Sequence, residues 1–257
     1  MDHIKKKVEN GVAWIQLSRA DKLNSFTIPM GRELRSALED ARDDSHVRAI
    51  HLTGEGRGFC AGQDLDEAIA EDGPGIGTIV DETYNPIITL IREIEKPVIC
   101  LVNGVAAGAG ANIALACDIT YALPHANFIQ SFSNIGLVPD SGGTFTLPRL
   151  VGMQRATALM FTGDKVSAAD AVAMGMIYAV TEEGENDASR TMAERLAARP
   201  TKAIGLTKKL LNSASDQSIW QQMMAEKEMQ IEAANSNDHK EGVAAFLEKR
   251  KPTYTGT

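Results

Sequence analysis

Cysteine is scarce in this chain of 257 residues: Cys60, Cys100 and Cys117 are the three, an odd number with no Cys-x-x-Cys pair. That excludes a disulfide framework and points to a reducing, cytoplasmic setting. Histidine is scarce too. His3, His46, His51, His125 and His239 lie scattered, without the spacing of a metal centre, so no metal site is expected. Basic residues are outnumbered, 26 Lys and Arg against 34 Asp and Glu, and a net charge of -8 gives no general attraction to nucleic acid or to an anionic membrane. An anionic ligand would need a local basic site. The opening Met-Asp-His-Ile-Lys-Lys-Lys lacks the apolar core of a secretion signal. One stretch, Pro97 to Cys117, has the length of a membrane span, but Asn103, Asn112 and the glycines 104, 108 and 110 break it into a buried strand, a loop and a helix.

Two familiar chemistries are also missing. No Gly-x-Ser-x-Gly elbow appears, which argues against a serine hydrolase. Gly108-Ala-Gly110 begins like a dinucleotide fingerprint, but the third glycine position holds Ile113 and the place for the ribose-binding acid holds Phe128.

What is present is a 44% hydrophobic chain that can bury a large core. Glu9-Asn10-Gly11 between strand-like runs predicts an opening β-hairpin. Thr27 as N-cap, Pro29, and Met30, Leu34, Leu38 and Ala41 at helical spacing predict an amphipathic helix. Residues 47–54 predict an alternating strand followed by a glycine-rich loop, and Val80, Tyr84, Ile87, Ile91 and Ile94 a helix kinked near Pro86. The segment around 66–90 is expected to supply the walls of a substrate pocket, and its loop "DEAIAEDGPGIG", 66–77, reads as flexible. Ser167 to Asp170 resembles a capping box, and after a short strand near Ala179 the chain reads helical almost to its end. Strand and helix alternate through the first two-thirds, which predicts an α/β fold with a soft boundary near Arg199-Pro200, dividing 1–198 from a helical 199–257. No fixed-period repeat appears. The Met-rich stripe of Trp220, Met223, Met224, Met229 and Ile231 reads as a packing face, against the core or another subunit.

Two small-residue loops, 58–65 and 103–112, could each bring a backbone amide close to a ligand, and two amides on one carbonyl oxygen would stabilise an enolate. Glycines that only permit tight packing are the plainer alternative. Asp140, in Gly-Leu-Val-Pro-Asp-Ser-Gly-Gly, reads from its neighbours first as a turn residue. If it carries a proton instead, the preceding Leu137, Val138 and Pro139 should raise its pKa.

"RGFCAGQDL", "KPVICLVNGVAAGAGANIALACDI" and "SNIGLVPDSGGTFTLPRLVG", in that order, resemble the crotonase (enoyl-CoA hydratase/isomerase) superfamily, and the likeness continues to "EGVAAFLEKRKPTYTG". Within it, "YNP" at Tyr84 to Pro86 and "NGVAAGAGA" resemble the branch acting on 2-(1,2-epoxy-1,2-dihydrophenyl)acetyl-CoA in phenylacetate catabolism. The resemblance implies a spiral of ββα units with a C-terminal helical region that forms trimers or dimers of trimers, an acyl-CoA substrate, and no cofactor beyond the CoA that the substrate carries. It places the Ala61 and Ala109 amides on the thioester oxygen and lines the CoA arm with Ala61, Gly62, Gln63 and Asp64. Lys22 and Leu23 fall near the nucleotide, with Lys249, Arg250 and Lys251 as a basic cluster for phosphate, although the residues alone read equally as a solvated helix end. The two glutamates of the superfamily's hydratases are replaced by Asn112 and Phe132, whereas Asp140 stands where its isomerases keep their acid or base. An isomerase of a CoA thioester is the expectation; a hydratase with an unusual acid set and a non-catalytic acyl-CoA-binding partner are the alternatives.

Overall fold

Asn10 and Gly11 both take positive φ, 54° and 74°, which is the tight two-residue turn whose twist matches a right-handed hairpin. A computed structural model describes residues 3–257; Met1 and Asp2, the start of the segment considered for a signal, lie outside the described residues. The hairpin strands, β1 (Ile4–Glu9) and β2 (Val12–Leu17), open a six-stranded sheet. It continues through β3 (Ala49–Gly54), β5 (Val98–Val102), β7 (Ile119–Ala122) and β10 (Ala179–Val180), in the order β1-β2-β3-β5-β7-β10 and parallel from β2 onward. A second sheet has the order β4 (Gly58–Cys60), β6 (Val105–Ala107), β8 (Asn127–Ile129), β9 (Lys165–Ser167). The glycine-rich loop expected after β3 is therefore partly a strand, and the small-residue loop after β5 contains another. Three residues are too few to show a period, so neither was visible as one.

Thr27 caps α1 (Ile28–Asp43), its side chain accepting from Met30 N, and Met30, Leu34, Leu38 and Ala41 are buried as their spacing predicts. They cover one face of the large sheet, with Ile50, Leu52, Val98 and Cys100. The other face, including Val12, Ala49, Ile99, Leu101 and Tyr121, is covered by Met192, Ala193 and Ala197 of α9 (Ala188–Ala197). Residues 47–54 therefore do not alternate: four of the first five positions of β3 are buried because helices lie on both sides, as in parallel sheets generally.

The loop 66–77, which reads as flexible, contains short helical turns, and the helix expected from Val80 onward follows it. This stretch holds α2 (Leu65–Ala68), α3 (Gly75–Ile79), a π-helical turn at Val80–Tyr84, and α4 (Asn85–Glu93), with Pro86 at the start of α4. The expected kink is thus a widened turn placed just before the proline, where the missing N–H costs no helical bond. Then come α5 (Ala109–Ala116), α6 (Gly143–Val151), α7 (Met153–Thr162) and α8 (Ala168–Ala173), capped by Ser167 through Asp170 N. Three further helices close the chain: α10 (Thr201–Ser213), α11 (Ile219–Ala234) and α12 (Asn237–Glu248). A buried ammonium ties α10 to the sheet region, Lys208 Nζ donating to Ile91 O at 2.7 Å and pairing with Asp118 Oδ2 at 2.7 Å. No described helix is long and apolar enough to cross a membrane.

Candidate active site

The C-terminal ends of β4 and β6 deliver the two small-residue loops to one place. Gly62 sits at φ +94°, and a Cβ there would stand 3.0 Å from Ala107 O and 3.8 Å from Ala109 N, so only glycine lets the loops meet. Gly110, the second residue of the second loop's helix, has no room for a side chain against Cys60.

The amides of the first loop divide sharply. Ala61 N–H donates to Leu23 O at 3.0 Å, Gly62 N–H points at Cys60 Sγ at 3.4 Å, and Asp64 N–H donates to Phe26 O at 2.8 Å. Gln63 N–H alone among them has no partner among the described residues. The expectation that Ala61 supplies a free donor is therefore corrected: its N–H is already given to Leu23 O, next to the strand-like bridge of Phe26 with Gln63 that takes up Asp64 N–H. Which amide of four stays unpaired is decided by residues 23 and 26, and nothing inside the motif signals it. On the second loop Ala109 opens α5, and an N–H of the first helical turn has no intrahelical acceptor. Gln63 N–H and Ala109 N–H are thus main-chain donors without a partner among the described residues, one on each of the converging loops.

Gln63 is held by its side chain. Tyr84 Oη, from the π-helical turn, donates to Gln63 Oε1 at 2.6 Å, and Gln63 Nε2 donates to Glu67 Oε2 at 2.9 Å. Both oxygens of Glu67 accept from Ile28 N at 3.1 Å, anchoring the chain of bonds to the first turn of α1. Sequence reading singled out "YNP" but assigned Tyr84 no contact.

Asp140 lies in the loop before α6, half-buried, followed by Ser141 and Gly142 at φ 53° and 68°. Its carbonyl accepts from Gly143 N at 2.9 Å and from Asn112 Nδ2 at 2.9 Å, and its carboxyl accepts from Ser141 Oγ at 2.7 Å. Burial raises the carboxyl above its ordinary value and outweighs the Ser141 hydrogen bond, which works the other way. The cause is not the one the sequence offered. Leu137 and Val138 are 40% and 80% exposed. The loop instead packs inward, a Cβ at Gly142 meeting Ile88 of α4 and one at Gly143 colliding with Asn112 of α5. The pKa of the Tyr84 phenol is raised by burial first, with the charges of Cys60 and Asp140 adding to it, so the group that holds Gln63 lies within electrostatic reach of the carboxyl. Phe132 is buried beside Gly108, where it keeps its ring against the start of α5.

The remaining expected residues separate into two groups. Lys22 and Leu23 border the first loop: Lys22 pairs with Asp66 at 3.2 Å, and Leu23, at φ 51°, gives its carbonyl to Ala61. Asp64 does not turn its carboxylate outward to a ligand. It is buried, pairs with Arg19 at 2.6 Å and caps α2; burial opposes its charge, but Arg19 and the loop amides hold its pKa below the usual value. Lys249, Arg250 and Lys251 are not brought to these loops within one chain. Arg250 is engaged by Glu241 and Glu248, and the tail beyond docks at Arg48, where Nη1 donates to Tyr254 O, just before β3 begins. The candidate loops leave from the opposite ends of the parallel strands.

Two main-chain donors, one partly buried carboxyl with a raised pKa and no second acid at the hydratase positions can take a proton from carbon next to a carbonyl and stabilise the charge that results. Residues 7–257 match the family model described as enoyl-CoA hydratase/isomerase. A protein of Escherichia coli (strain K12) named 1,2-epoxyphenylacetyl-CoA isomerase is 43% identical over 260 residues, with 100% of this chain and 99% of that protein covered. A "Probable enoyl-CoA hydratase" of Rhodobacter capsulatus is 42% identical, with 98% of each covered. The crystal structure of an enoyl-CoA hydratase from Polaromonas sp. JS666 superposes with a TM-score of 0.89 at 33% identity, covering 98% of this chain and 99% of that one. With the fold, the paired loops and these similarities in agreement, the chain belongs to the enoyl-CoA hydratase/isomerase family and is an enzyme of it.

Proposed function

We propose that this enzyme isomerises an acyl-CoA thioester through an enolate. Asp140 as carboxylate removes a proton from the carbon next to the thioester carbonyl; the electron pair moves onto the carbonyl oxygen, which accepts from Gln63 N–H and Ala109 N–H. The protonated Asp140 then returns the proton further along the conjugated system. With a 3-enoyl thioester the proton leaves C2 and returns at C4, so the double bond moves from C3–C4 to C2–C3. With the ring epoxide of phenylacetyl-CoA the same deprotonation starts expansion to the oxepin. The observation that carries this reading is the single acid: Asn112 and Phe132 stand where the superfamily's hydratases hold their two glutamates, and Phe132 is buried. Each oxyanion donor is worth about 3–4 kcal/mol to such a step.

The CoA arm runs past Gly62 and Gln63 toward Lys22 and Leu23, and no cofactor besides the substrate's own CoA is needed. The enzyme works in the cytoplasm as a homotrimer or a pair of trimers, built through residues 199–257. Exposed apolar side chains of α11 and α12, Ile219, Trp220, Met223, Phe246 and Leu247, support that assembly. A basic cluster at Lys249 and Lys251 then serves a phosphate on a neighbouring subunit.

Turnover on a panel of 3-enoyl, 2-enoyl and ring-epoxide CoA thioesters tests the reading. Conversion of the 3-enoyl or epoxide substrate, with no water added to crotonyl-CoA, is the expected result. Hydration of crotonyl-CoA at a comparable rate would replace it with a hydratase, and binding without turnover on every member would leave an acyl-CoA-binding protein.

A further inference from the structure

Asn112 occupies the position of an absent hydratase acid, yet it is 1% exposed and both ends of its amide are used. Asp140 O is an acceptor only, so the group 2.9 Å from it is the Asn112 nitrogen. That orientation turns Oδ1 toward Gln130, whose Nε2 donates to it at 2.9 Å. Gln130 is 4% exposed and is itself fixed by this bond, since its Oε1 finds no partner among the described residues. A buried amide left half-satisfied costs about 1–3 kcal/mol, so the Asn112–Gln130 pair is a costly arrangement for mere packing.

The loop it touches needs holding. Ser141, directly after Asp140, adopts left-handed backbone that a serine disfavours, and Gly142 follows it in the same region. Gly143 must lack a side chain because Asn112 fills that space. The Asp140 carbonyl therefore has two donors, one from its own loop and one from the helix whose first amide is Ala109.

We infer that Asn112, oriented by Gln130, is the positioning residue that clamps the Asp140 loop to α5 and so fixes the proton-carrying carboxyl relative to the Ala109 donor three residues earlier on the same helix. A position that serves water chemistry in the hydratases is, in this chain, spent on aiming the isomerase acid. The inference rests on the proposed role of Asp140. Ser141 Oγ bonds that carboxyl from its own loop, and the Tyr84 phenol of the π-helical turn is the titratable group on a neighbouring element that its charge reaches.

The test is the set Asn112→Leu, Gln130→Met and Asp140→Asn in the full-length enzyme. Steady-state kinetics on the substrate identified by the panel is combined with a pH titration of carboxyl-13C-labelled aspartate, Asp140→Asn identifying the resonance. Asn112→Leu should lower kcat by about 10- to 100-fold with KM changed less than about threefold, because misplacing a reacting group by an ångström costs on that order. It should also move the Asp140 titration to lower pH by at least about half a unit as water reaches the loosened carboxyl. Gln130→Met should do both to a smaller extent, and it carries the test if Asn112→Leu fails to fold. Folded variants that keep the wild-type titration, whether kcat is unchanged or falls equally at every pH, overturn the clamp. Asp140→Asn turning over like wild type defeats the base role itself, whereas an inactive Asp140→Asn beside unaffected clamp variants defeats the clamp alone.

Discussion

Burial and the Ser141 hydroxyl act on the Asp140 carboxyl in opposite directions, and burial wins. The active form of a base is the deprotonated one, so the rate should fall on acidification through a pKa above the ordinary aspartate value of about 3.9. Ser141→Ala removes the bond that lowers the pKa, and the acid limb of kcat should shift to higher pH; an unmoved or lowered limb in a kcat profile would contradict the assignment. Ala at this position tolerates φ 53° no better than Ser, so the backbone strain is common to both. Motif positions bring Asp140 and Ala109 forward as candidates, and the structure leaves the Ala109 N–H without a partner among the described residues. The free amide of the first loop is not legible there, because Leu23 and Phe26 decide whether Ala61 or Gln63 keeps its N–H, and they contact the loop only after folding. The raised pKa was expected from apolar neighbours in the chain, but Val138 faces solvent and the burial comes from α4 and α5.

Elements with a long period or a strong turn were legible. The hairpin followed from Asn10-Gly11 and α1 from a cap and four apolar residues in step. The strands β4 and β6 were not, yet these carry the loops of the site. Their placement depends on Gly62, whose positive φ and tight contact with Ala107 O leave no space for a methyl group. Gly62→Ala should push the two donor loops apart and cut kcat/KM by about 10- to 100-fold, measured beside circular dichroism that shows a native fold. Near-normal kcat/KM would mean that the loops do not act together. Leu38→Ala in α1 is the contrasting case: a fully buried side chain remote in sequence from the site, expected to cost about 2–5 kcal/mol in urea unfolding with little change in KM.

The whole molecule couples its layers through buried polar groups that no periodicity announces. His51 of β3 lies 2.9 Å from Ser189 Oγ of α9, and that hydroxyl donates to Asp187 at 2.6 Å. The serine hydrogen being used, His51 Nε2 is the donor and the ring is neutral. Burial lowers its pKa from 6.5 to about 4. The unfolded chain therefore takes up a proton that the folded chain refuses, and stability should fall as pH drops from about 6.5 to about 4, by ~3 kcal/mol at most. Urea unfolding at several pH values should show this slope in wild type and lose it in His51→Gln. The assembly proposed through the C-terminal helices is tested at this scale: Trp220→Glu with Phe246→Glu should yield smaller particles in sedimentation velocity, and an unchanged sedimentation coefficient would contradict that proposed contact. The sequence showed the Met-rich stripe of α11 but not which surface it meets, and in a single chain none of α11 is buried.

The most direct measurement follows a 3-enoyl thioester deuterated at C2 through a single turnover with wild-type enzyme and with Asp140→Asn. A carboxylate that removes the C2 hydrogen predicts a primary isotope effect in wild type, and in Asp140→Asn unimpaired binding with turnover lost. Wild-type turnover by Asp140→Asn, with the same isotope effect, would show that another group carries the proton.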